Sequence, residues 1–95
     1  KICFIFGMMG DKDISQVIIT LFRKEDTIYT VRADEGARAA EPEALAEQIG
    51  SQAQAMHDLA AAYKTALAEV GEDGLVCVCG SLYLVGTFKK MLLNQ

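Results

Sequence analysis

The sequence predicts an α/β layer fold, a three-layer α/β/α arrangement around a mostly parallel sheet. Two short runs, Ile2–Phe6 and Leu75–Cys79, are apolar at every position and each ends in glycine, the pattern of a strand covered on both faces. Segments of helical period alternate with β-rich ones from end to end, and such alternation builds parallel sheets through right-handed crossovers. At 95 residues the chain has room for one core, so it reads as a single domain over 1–95.

The first run, rich in aromatic and β-branched residues, is the candidate central strand. After a turn-like segment from Gly7 to Asp13, Ile14, Val17, Ile18 and Leu21 recur at i, i+3, i+4 and i+7, with Asp13 as the expected N-cap of a helix. Thr27 to Ala33 is β-rich and gives a second strand; a polar loop, Asp34 to Glu41, follows. Pro42 opens a helix that reaches Ile49 and stops at Gly50. The stretch from Ser51 to Met56 fits either a continued helix or a short edge strand; Gly50 as a stop and Asp58 as a fresh N-cap favour the strand. Leu59, Tyr63, Ala66, Leu67 and Val70 then share a helical face up to Gly71. Leu75–Cys79 is read as a second central strand, and Leu84, Val85, Phe88, Met91 and Leu92 form the last amphipathic helix.

Composition excludes several function classes. Hydrophobic residues make up 52% and charged residues 23%, which is not the composition of a disordered chain. Nine Lys+Arg against thirteen Asp+Glu give a net charge of −4 with the bases scattered, so a nucleic-acid partner is not expected. Cys3, Cys77 and Cys79 match no metal-finger spacing and read as reduced core thiols, pointing to a cytoplasmic compartment. Cys77 and Cys79 are expected on opposite faces of their strand. No apolar run approaches the roughly 20 residues of a membrane span. A strand pattern that starts at position 2, after Lys1, suggests a piece of a longer protein, truncated at its N-terminus.

In open parallel sheets ligands bind beyond the carboxyl ends of the strands, so the loops after the two apolar strands are the candidate site. The first, Gly7-Met8-Met9-Gly10-Asp11-Lys12-Asp13, carries a lysine between two carboxylates at a helix entrance. The second, Gly80-Ser81-Leu82-Tyr83, turns on a glycine and opens a helix with a serine. Free N–H groups at a helix start attract anions, and a serine hydroxyl can cap them or help hold a carboxylate.

These two loops resemble one family. Phe6 to Asp13 is similar to the "G-x-x-x-DKD" turn, and Cys79 to Gly86 to the "TGSLYLVG" turn, of the bacterial folylpolyglutamate synthase/dihydrofolate synthase group within the Mur ligase superfamily. Arg38-Ala39 with Pro42-Glu43-Ala44-Leu45 resembles the family's "RA…PE-x-L" segment, so the likeness spans nearly the whole chain. The resemblance is to the C-terminal domain, of Rossmann-like form. It implies an ATP-dependent amide ligase: ATP phosphorylates a folate or dihydropteroate carboxylate, and L-glutamate's amine attacks the acyl phosphate. Lys12 would then pair with a glutamate carboxylate, Ser81 would hydrogen-bond one, and Asp11 would flank them as a third substrate-binding residue. No residue here is implied as catalytic or metal-binding.

The chain lacks a G-x-x-x-x-G-K-[ST] loop, and the family's "DGAHNP" turn is expected upstream of Lys1. ATP and Mg²⁺ are therefore expected to bind mainly elsewhere in the parent enzyme, and the chain alone to be inactive. Cys79 stands where the family has threonine, a packing variation.

Blander readings stand beside these. Lys12 is otherwise a solvated turn lysine, Ser81 an ordinary N-cap, Arg38 a surface arginine and His57 structural or solvent-facing. Met8 and Met9 would pack against a neighbouring domain; Tyr83 and Phe88 would be core. The alternative functions are another Mur-superfamily amide ligase, or a non-catalytic ligand-binding or receiver-like α/β module using acidic strand ends around Mg²⁺. The receiver pattern fails because the last strand ends in Gly-Ser rather than lysine.

Overall fold

A computed structural model describes residues 1–10 and 13–94. Its element order is β1 (Ile2–Phe6), α1 (Ser15–Leu21), β2 (Thr27–Thr30), α2 (Pro42–Ile49), β3 (Ala53–Ala55), α3 (Leu59–Val70), β4 (Leu75–Cys79) and α4 (Leu82–Leu93). The strands form one parallel sheet in the order β3-β2-β1-β4, with Ile2 opposite Leu75 and Phe4 opposite Ile28. The expected strand after Gly50 is present as β3, and α2 begins at Pro42 and closes at Gly50, where φ is 112°.

Alternating side chains of the sheet serve two cores, one per face. Phe4, Phe6 and Ile28 meet Ile14, Phe22, Leu45 and Ile49 on the α1/α2 side. Cys3, Ile5, Tyr29 and Val31 meet Ala62, Ala66 and Leu84 on the α3/α4 side. Helices thus cover both faces, giving the expected three layers. Right-handed connections explain the division: β1 to β3 step one way across the sheet, and the return to β4 reverses the step and moves the helix to the other face.

Several expectations are corrected. β4 is an edge strand among the described residues, paired on one side by β1, and its side chains are only half buried apart from the exposed Leu75. The second strand is shorter than Thr27 to Ala33: pairing stops at Thr30, while Val31 and Ala33 stay buried as the chain turns over the rim. α1 starts after Ile14, not Asp13, although the Asp13 carboxylate still accepts the Ser15 amide at 3.0 Å. Leu21 is 41% exposed; the chain leaves the helix at Phe22, whose ring drops edge-on against Phe4 and Phe6 at 5.0 and 5.5 Å. Cys77 and Cys79 do not point to opposite faces. Both pack on the α1/α2 side, as residues two apart on a pleated strand must.

Candidate functional site

The direction of the sheet's connections reverses between β1 and β4, so the loop after β1 runs to one face and the loop after β4 to the other. Such a switch point opens a crevice at the carboxyl ends of the two strands. Here the two loops touch through backbone. The Gly7 amide donates to the Cys79 carbonyl at 3.3 Å, and a Cβ on Gly80 would lie 2.3 Å from the Gly7 carbonyl oxygen and 3.0 Å from the Phe6 ring. Gly80 has φ of 107°, a conformation that favours glycine, so this position needs glycine for both its turn and its contact.

Ser81 is the N-cap of α4: its extended backbone turns the chain, and its Oγ accepts the Tyr83 amide at 3.1 Å. Accepting that bond leaves the hydroxyl proton free to be donated to an outside acceptor. Ser81 is half exposed, so a ligand can reach it.

The first loop is described up to Gly10 and again from Asp13; the expected ligand residues Lys12 and Asp11 lie outside the described residues. What flanks them is well defined. Met9 and Ala39 form an isolated antiparallel bridge, Gly10 donates its amide to the Arg38 carbonyl, and Ala40 donates to the Met8 carbonyl at 2.9 Å. The segment after β2 therefore braces the loop after β1. Asp13 holds Ser15 through both backbone and hydroxyl, and the Ser15 hydroxyl in particular holds its carboxyl below the usual carboxylate range.

This bracing was not foreseen in the sequence, although Arg38-Ala39 sits inside the "RA…PE-x-L" segment. The Arg38 side chain is exposed, as the surface reading expects, and borders an open recess of about 380 Å³ shared with Gly10, Glu41, Ala44 and Gln48. His57 is 72% exposed and reaches Glu43 on α2 at 2.6 Å, a tie between loop and helix in keeping with a structural role. Tyr83 is 62% exposed and not core, whereas Phe88 is half buried, edge-on to Tyr63 at 5.0 Å. Met8 and Met9 are partly buried and pack against the chain's own cores, one on each face. Among the described residues no group of three or more His, Cys, Asp or Glu is arranged to hold a metal ion. Burial pushes the Cys79 thiol up to about 12, with neighbouring Cys77 adding to the shift, so it is a packing group at neutral pH and not a nucleophile.

A family described as "Mur ligase, glutamate ligase domain" matches residues 1–82. The dihydrofolate synthase/folylpolyglutamate synthase of Escherichia coli K12 is 32% identical over 92 residues, which cover 97% of this chain and 21% of that protein. The crystal structure of the bifunctional folylpolyglutamate synthase/dihydrofolate synthase of Yersinia pestis, complexed with AMPPNP and a Mn ion, superposes with a TM-score of 0.85 at 31% identity, covering 98% of this chain and 22% of that one. Escherichia coli FolC in complex with DHPP and ADP gives 0.85 at 29% identity, covering 99% and 22%. The chain spans about a fifth of the length of these relatives.

Proposed function

We propose the following function for this chain, which belongs to the Mur ligase family as a glutamate ligase domain: it is the amino-acid-receiving C-terminal domain of an ATP-dependent, cytoplasmic folylpolyglutamate synthase/dihydrofolate synthase. In the reaction, ATP phosphorylates the carboxylate of a folate or dihydropteroate, and the amine of L-glutamate displaces phosphate to form the amide. The observation that carries the reading is the backbone contact of Gly7 with Cys79 and Gly80, which joins the loops after β1 and β4 at one crevice.

On this reading the chain binds and orients the nucleophile. The ammonium of Lys12 pairs with a carboxylate of the incoming glutamate, with Asp11 beside it. Ser81 donates its hydroxyl proton to a glutamate carboxylate while its oxygen still caps α4, so binding does not cost the helix its cap. The free amides of the first turn of α4 add positive potential at the same spot. Holding the amine still against an activated carboxyl turns an encounter between two molecules into a positioned attack.

The sequence holds no phosphate loop, so ATP and Mg²⁺ are expected to bind mainly outside this chain. Those groups are assigned to the rest of the polypeptide, as is the pterin site. Relatives crystallised with AMPPNP, Mn ion, ADP and DHPP support nucleotide and dihydropteroate-type partners for the whole enzyme. No helix among the described residues is long and apolar enough to cross a membrane.

The test is ADP release by the intact polypeptide, with dihydropteroate and with reduced folate as acceptors. The reading expects release that depends on both L-glutamate and one of these acceptors. Release that ignores glutamate, or that requires a different amino acid, contradicts it.

A further inference from the structure

We propose that Arg32 is a positioning residue for the loop that leaves β1, acting through the segment that follows β2. Its guanidinium spans that segment: Nη2 donates to the Gly36 carbonyl at 2.7 Å, and Nη1 donates to the Glu41 carboxylate at the segment's far end. The same Gly36 carbonyl accepts the Ala39 amide at 3.3 Å, closing a tight turn. With the turn closed, the Arg38 carbonyl and the Ala40 amide face the other loop, where they take the Gly10 amide and the Met8 carbonyl.

A clasp on one loop thereby fixes the backbone of its neighbour as far as Gly10, where φ is 78° and the chain heads for residue 11. The planar fork of arginine suits this role because it reaches two acceptors in fixed directions, which a single lysine ammonium does with far less geometric control. The Arg32 side chain is 32% accessible and its Glu41 partner 64%, while Ala39, in the turn they close, is buried. Arg32 itself does not touch the glutamate in this arrangement. Its effect on function rests on the glutamate-receiving reading above, because the loop it steadies is the one carrying Lys12.

The experiment compares Arg32→Ala, Arg32→Lys and Ser81→Ala in the intact polypeptide, with circular dichroism to check folding. Two readouts are taken: hydrogen exchange at the Gly10 amide, and the KM values for glutamate and ATP with kcat. Arg32→Ala is expected to speed exchange at Gly10 by about tenfold or more and to raise the glutamate KM about fivefold while the ATP KM and kcat hold. Arg32→Lys should fall between it and the parent. Unchanged Gly10 exchange overturns the clasp, and an unchanged glutamate KM in an enzyme whose Ser81→Ala variant does show a raised one overturns the positioning role. If Ser81→Ala and Arg32→Ala both leave the glutamate KM untouched, the amino-acid reading fails as well, and Gly10 exchange alone decides the clasp.

Discussion

A Cβ on Gly80 would stand 2.3 Å from the carbonyl oxygen of Gly7, closer than any side chain tolerates, so the loops ending β1 and β4 meet backbone to backbone. Gly80→Ala therefore combines a clash with an unfavourable φ of 107° and should cost more than about 2 kcal/mol, read from urea unfolding. Gly86→Ala is the control: nothing lies within 4 Å of its added Cβ, and the position is inside α4, so a gain of about 0.5–1 kcal/mol is expected.

Thr30 is fully buried at the end of β2 and donates its hydroxyl to the Pro42 carbonyl at 2.7 Å. Thr30→Val keeps the shape and removes the donor, leaving that carbonyl short of a partner. A loss of about 1–2 kcal/mol is expected in denaturant titration. An effect near zero would mean that β2 does not hold the start of α2 in this way.

On the other face of the sheet, one residue before Thr30, Tyr29 donates to Glu69 at 3.0 Å, and Cys3 lies in the same cluster. Burial first, and the Glu69 carboxylate second, push the Cys3 thiol from 9.0 to about 12 and the Tyr29 phenol from 10.0 to about 12. Both groups bind their proton more tightly when folded. Their contribution is thus complete below about pH 9 and is lost as pH rises through 9–12. Unfolding midpoints should fall across that window, and less steeply in Tyr29→Phe. At neutral pH the same variant should lose about 1–2 kcal/mol, because Glu69 gives up its hydrogen-bond donor.

How much of this was legible follows from the kind of signal each feature leaves. Continuous apolar runs marked β1 and β4, Pro42 and Gly50 bracketed α2, and Gly50 with Asp58 marked off β3 between α2 and α3, because caps and strand burial are written locally. The edge position of β4 was not legible, since a half-buried and a fully buried strand share one composition. Nor was Phe22: the periodic stripe pointed to Leu21, and only tertiary packing on Phe4 and Phe6 selects the residue after the helix. The pairing of Arg38 and Ala40 with Gly10 and Met8 is carried by backbone groups every residue possesses, so no side-chain pattern announces it. Ser81 as a cap was readable, because an N-cap is a local residue preference.

Caps at the two helices of one face offer a clean comparison. Asp58 accepts the Ala60 amide at 3.0 Å, and Ser81 accepts the Tyr83 amide at 3.1 Å. Replacing either by alanine should cost about 1 kcal/mol of stability. Only Ser81→Ala should also alter glutamate kinetics in the intact polypeptide, and an Asp58→Ala variant with the same kinetic change would show the effect to be one of stability.

The most direct test is a double-mutant cycle on Lys12→Ala and Ser81→Ala in the intact polypeptide, read as the KM for glutamate. The account predicts that each variant raises it by about tenfold, that the double variant departs from the product of the two, and that the KM for ATP stays near its parent value. A glutamate KM at the parent value in both single variants would contradict it.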